Sequence, residues 1–218
     1  MSQIFPRSAN ALVRASLIGV VVAVAALGSV GWALAHSAFT TGQGVTIPQI
    51  VPFSHDHHVS GLGIDCRYCH TGVETSAFAG IPPTATCYNC HKIIWSDAPL
   101  LEPVRESYRT GRPLVWNRVY DLPDFVYFDH SIHVAKGVGC ASCHGRIDQM
   151  KLTAQATSLQ MAWCLECHRN PEKFIRPRSE VFNMAWEAKD QRALGERLVR
   201  EYQLRPTFAL TNCSTCHR

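Results

Sequence analysis

The sequence predicts a mostly α chain with extensive irregular structure: one N-terminal transmembrane helix, then a single outer domain. Three observations predict it. Residues Ala15 to Ala35 form one uncharged, apolar run. All ten cysteines fall in five C-x-x-C-H motifs, each needing only a local helical turn. Strand signals are weak throughout, and nine of the twelve prolines interrupt what lies between the motifs.

The run ASLIGVVVAVAALGSVGWALA has 21 residues, about 31 Å as a helix, enough to cross a bilayer. Arg7 and Arg14 precede it, so the positive-inside rule puts the N-terminus in the cytoplasm and everything after His36 outside, on the periplasmic side. A cleaved signal peptide is the alternative, since Ala33-Leu34-Ala35 suits a cleavage site. The run exceeds a usual signal core, which favours an uncleaved anchor over 1–36 and an outer domain over 37–218.

The motifs are CRYCH at Cys66, CYNCH at Cys87, CASCH at Cys140, CLECH at Cys164 and CSTCH at Cys213. Disulfides would explain an even count but not five trailing histidines. Structural zinc would use two Cys pairs at one point, with any His further along. C-x-x-C-H is the signature of c-type haem attachment. Cys66, Cys69, Cys87, Cys90, Cys140, Cys143, Cys164, Cys167, Cys213 and Cys216 would form thioethers. His70, His91, His144, His168 and His217 would be the proximal iron ligands of five haems. The outer domain is thus expected to be a haem-packed multihaem cytochrome c domain, haem faces filling much of its core.

The formal charge of +4 and a pI near 8.6 do not point to nucleic acid. No Lys/Arg-rich run is present, and the propionates of five haems would add about −10.

One pattern occurs twice. Phe53-x-His55-x-x-His58 precedes the Cys66 motif by seven residues, and sixteen more lead to the Cys87 motif. Phe128-x-His130-x-x-His133 precedes the Cys140 motif by six, and nineteen lead to the Cys164 motif. Tandem two-haem modules over about 53–91 and 128–168 account for this, with the fifth motif alone at 213–217. The connection from Ser96 to Tyr127 is rich in proline and aromatics, which argues against a long helix there. A longer helix is expected from Glu180 to Gln203, where apolar residues alternate with charges.

Five irons need five distal ligands. The repeat nominates His55, His58, His130 and His133. His57 has no counterpart, because Ile132 stands in its place, and His36 adjoins the membrane run. The fifth ligand is then a methionine, Met150 or Met161, giving four His/His haems and one His/Met haem.

The F-x-H-x-x-H module resembles the class III, cytochrome c7-like multihaem cytochromes. That resemblance implies that His55 serves the Cys66 haem and His130 the Cys140 haem, while His58 and His133 cross to other haems. Over nearly its whole length the chain resembles the pentahaem cytochrome c subunit of bacterial alternative complex III. One N-terminal membrane helix, five motifs and the runs LPDFVYFDHSIHV and MAWCLECHR carry the likeness. It implies an inner-membrane quinol-oxidising complex, with an iron–sulfur subunit, quinol-binding integral membrane subunits and a monohaem cytochrome c as partners.

The expected function is therefore an electron wire with no catalytic site of its own. A stand-alone membrane-anchored multihaem quinol dehydrogenase would share the anchor but not this repeat. A multihaem reductase would need an open iron, and the chain has ligands to close all five and no C-x-x-C-K motif.

Overall fold

A computed structural model describes residues 4–6 and 8–217. Arg7, used above for orientation, lies outside the described residues. The chain divides into two compact units, Met1–Gly42 and Gln43–Arg218.

The first unit is helix α1, Ala9–Ala35, followed by the short α2, Ala38–Thr41. α1 has 27 residues, a mean hydropathy of 2.3 in its most apolar window, and no buried side chain, so it is long and apolar enough to cross a membrane. It starts six residues before the apolar run. Ala9, Ala11, Leu12 and Arg14 are good helix formers, so backbone hydrogen bonding continues past the point where charge ends the hydrocarbon-compatible stretch. His36 closes the helix, its Nδ1–H donating to the Trp32 carbonyl at 2.8 Å while its ring stacks on Trp32.

The second unit is a series of short helices. A π-helical turn at Asp56–Gly61 leads to α3 (Cys66–Cys69) and α4 (Thr84–His91). Then come α5 (Glu102–Thr110), α6 (His130–Ala135), α7 (Cys140–His144), α8 (Met161–Arg169), α9 (Gln191–Glu201), α10 (Thr207–Leu210) and α11 (Cys213–Cys216). Single 3-10 turns lie at Pro99–Leu101, Ile147–Gln149, Pro171–Lys173 and Arg178–Glu180. Among the described residues there is no strand, only isolated bridges such as Val138 with Ile175.

Two helices differ from expectation. α5 sits in the proline-rich connection because Pro103 falls in its first turn, where a missing N–H costs nothing. α9 is shorter than the expected 180–203. Asp190 caps it by accepting from the Ala193 N–H at 3.0 Å, and the stretch before it is 3-10 and turn.

Only nine apolar side chains are buried among the described residues. They include two small clusters, Val51, Leu101 and Val104 beside α4 and α5, and Ile175, Leu198 and Tyr202 beneath α9. In the second, a Cβ on Gly195 would stand 1.8 Å from the Glu172 carbonyl oxygen, so only glycine lets α9 lie on the Pro171–Lys173 turn. Each fully buried aliphatic side chain stabilises by about 2 kcal/mol, a modest total for a unit of this size.

Candidate haem-attachment sites

Each C-x-x-C-H motif begins a helical turn at its first cysteine or lies within a short helix, which puts both thiols and the imidazole near one another. Capping helps. Asp65 and Asn212 accept from the N–H groups of Arg67 (2.8 Å) and Ser214 (3.0 Å), one turn before the motif histidines. None of the ten cysteines pairs in a disulfide. Burial pushes the Cys140 thiol up to about 11, Cys143 to about 12 and Cys167 to about 11. Cys66, Cys69, Cys87 and Cys164 move in the same direction for the same reason.

The four repeat histidines and the five motif histidines share one trait. Nδ1–H donates to a backbone carbonyl in seven of them. The acceptors are Gly80 for His70 (2.7 Å), Ile94 for His91 (3.1 Å), Leu210 for His168 (2.9 Å), Phe125 for His217 (3.0 Å), Ser54 for His58 (2.8 Å), Ala77 for His130 (2.8 Å) and Asp129 for His133 (2.6 Å). His55 Nδ1 pairs with the Thr153 hydroxyl at 3.2 Å. Such a bond fixes the tautomer, orients the ring and leaves Nε2 as a basic lone pair for a metal. The exception is His144, whose Nδ1 is buried without a partner. Tyr120 packs edge-on against it, with ring centres 4.4 Å apart.

Three pairs of imidazoles face each other at nearly one distance. Ring centres are 6.2 Å apart for His58 and His91, 6.4 Å for His130 and His144, and 6.2 Å for His133 and His168. Two iron–nitrogen bonds of about 2 Å plus two half-rings of about 1.1 Å separate imidazoles across one iron by about 6.2 Å. The residues therefore fit a haem iron between each pair. His55 and His70 are electrostatic neighbours as well. His55 is held down to about 4 by burial and then by His70 and His58. Burial, then His130, His70 and His55, hold His144 down to about 4. Both are neutral at pH 7, as metal ligation requires.

The two copies of F-x-H-x-x-H are the same object. Phe53 stacks on His58 at 4.4 Å and meets His55 edge-on at 4.9 Å; Phe128 does so with His133 at 4.5 Å and His130 at 4.8 Å. Ser54 and Asp129 cap equivalent N–H groups, those of His57 and Ile132. The first copy has one more residue before its cysteine. Its π turn absorbs it: Ile64 N–H reaches back six residues to the His58 carbonyl, where Val138 N–H reaches five to His133.

His57 stands apart, exposed, its ring stacked on Trp95 at 5.4 Å. Met161 is 67% exposed at the start of α8, and Met150 is half-buried with its carbonyl accepting from Asp56 N–H. Sequence reasoning missed Tyr120, Thr153 and Trp95. None lies in a motif, and no periodicity marks a residue that packs on a ligand from a remote segment. Among the described residues no three His, Cys, Asp or Glu side chains converge on one point as a zinc centre would require.

Paired imidazoles, most of them oriented by a backbone carbonyl, beside twin thiols define a multihaem c-type cytochrome, a protein of electron transfer. Residues 126–218 match the family described as cytochrome c7 and related cytochrome c. Over 143 residues the chain is 31% identical to the multihaem cytochrome c subunit of menaquinone reductase from Nitratidesulfovibrio vulgaris, covering 56% of this chain and 68% of that protein. The chain belongs to this multihaem cytochrome c family, whose c-type haems are covalently bound.

Proposed function

We propose that the chain is the five-haem electron-transfer subunit of a membrane quinol-oxidising complex of the alternative complex III kind. The observation that carries this reading is the set of three imidazole pairs at 6.2 to 6.4 Å, which leaves those irons no open position for a substrate. All ten cysteines tether haem, and His70, His91, His144, His168 and His217 are the proximal ligands. His55 closes the His70 iron, His58 the His91 iron, His130 the His144 iron and His133 the His168 iron. The fifth iron, on His217, takes Met161 in preference to Met150. Met161 is exposed on the helix whose Cys164 thiol is an electrostatic neighbour of Cys216, whereas Met150 packs beside Asp56 in the first module.

Haem supplies reversible one-electron chemistry; the chain supplies tethers, ligands and a low-water setting that tunes each potential. α1 anchors the chain in the inner membrane, with the haem domain periplasmic. Partners are an iron–sulfur subunit, quinol-binding membrane subunits and a monohaem cytochrome c.

The likeness to a menaquinone reductase subunit favours a second reading, in which electrons run towards the quinone pool. Purification of the native complex separates these. The expected result is five haems per chain, multi-span partners, a far-red thioether-to-iron band, and reduction of cytochrome c by a menaquinol analogue. Menaquinone reduction by a periplasmic cytochrome, with no quinol oxidation, replaces the first reading with the second. A lone quinol-oxidising chain, or a high-spin haem that binds nitrite, rejects both.

A further inference from the structure

Resting on the reading that each motif tethers one haem, we propose that the attachment sites are ordered in space Cys87, Cys66, Cys140, Cys164, Cys213. The motif that comes first in the sequence is thus second along the wire, and the ends are the His91 and His217 irons.

Four junctions carry the order. The Cys87 and Cys66 sites share one turn, which brings His58 to His91 at 6.2 Å and carries His55 three residues earlier. The Cys140 and Cys164 sites share α6 in the same way, with His130 at 6.4 Å from His144 and His133 at 6.2 Å from His168.

The junction between modules is reciprocal. His55 pairs with Thr153, beyond the Cys140 motif, at 3.2 Å, and Ser60 Oγ donates to the Asp148 carbonyl at 2.6 Å. In return His130 Nδ1–H donates to the Ala77 carbonyl, beyond the Cys66 motif, at 2.8 Å, and Ser131 N–H donates to Ser76 at 3.2 Å. Each module's local distal histidine is thus seated by the loop that follows the other module's first haem motif. This joins the Cys66 site to the Cys140 site. The Cys87 site is instead covered by its own downstream segment: Thr84 bonds Ser107 at 2.7 Å and Tyr88 stacks on Tyr108 at 4.0 Å.

At the far end, His168 Nδ1–H donates to Leu210 at 2.9 Å, three residues before Cys213, and the Cys216 carbonyl accepts from Tyr127 N–H at 2.8 Å. The thiols agree as neighbours: Cys69 with Cys87, Cys66 with Cys140, Cys143 with Cys167 and Cys164 with Cys216. As thioethers they no longer titrate, so these couplings speak only of position.

Cryo-electron microscopy of the native holo-complex tests the order through its iron–iron distances. The expected nearest-neighbour steps are His91 to His70, His70 to His144, His144 to His168, and His168 to His217. A His91 iron closer to the His144 iron than the His70 iron is, or a His217 iron nearest to any but His168's, overturns it. The haem count in the same map reads the functional proposal separately: five haems in another order sink only the order.

Discussion

The two modules place their histidines alike and seat them differently. Their Phe–His contacts agree within about 0.1 Å, yet the rings of His58 and His91 cross at 66° while those of their counterparts His133 and His168 lie at 38°. The second module is backed by α9 and the Ile175, Leu198 and Tyr202 cluster, and its Cys140 and Cys143 thiols are pushed to about 11 and about 12. The first lies against the Val51, Leu101 and Val104 cluster, with Cys90 exposed. Ligand geometry is thus set inside each module, while burial, which tunes potential, is set by what each module leans on.

The largest effect comes from removing that support. Gly195→Ala drives a methyl into the Glu172 carbonyl, so α9 must lift, at a cost of about 4 kcal/mol. Thermal denaturation of the holoprotein is expected to fall sharply, with the second module's haems perturbed before the first's; unchanged melting would contradict the close approach.

Ligand removal comes next. His58→Ala and His133→Ala should each convert one haem from low to high spin, leaving four low-spin haems in EPR. Parallel imidazole planes split the iron d orbitals into a rhombic signal, and crossed planes leave them nearly degenerate with a much larger maximal g value. His58→Ala should therefore delete a large-g signal, and the haem of His130 and His144, whose rings lie at 11°, should stay rhombic in both variants. Loss of the rhombic signal from His58→Ala would break the pairing.

A smaller effect distinguishes the two proposed local distal ligands, His55 and His130. His55 is held by a side chain, Thr153, and His130 by a backbone carbonyl. Thr153→Val removes about 1 kcal/mol of hydrogen bonding and lowers imidazole basicity. The corresponding potential should rise, by no more than about 40 mV, in a redox titration, with the other four unmoved. Smallest of all, His57→Ala should leave all five haems low-spin and lose the stacking on Trp95 and the edge contact with His58, about 0.5 kcal/mol each. A lost low-spin signal would make His57 a ligand and displace methionine.

The multihaem c-type class was legible because c-type haem demands fixed residues at fixed spacing, and the repeat drew His55, His58, His130 and His133 together as candidates. The membrane-compatible helix was legible from composition, though not its start at Ala9, since helix formation tolerates the charge that ends the apolar run. What stayed hidden is held by contacts between distant segments. Thr153 beneath His55, Tyr120 on His144 and Leu210 on His168 carry no local pattern. α5 was hidden for another reason: a proline was read as a breaker without regard to its place in the first turn.

The bonds from ring nitrogen to backbone carbonyl have a consequence for how such chains diverge. A carbonyl belongs to every residue type, so substitution at Leu210, Ala77 or Ser54 leaves the acceptor in place. A duplicated module can therefore drift at nearly every side chain without turning its imidazoles. Ser54 opposite Asp129, and His57 opposite Ile132, are places where it has done so.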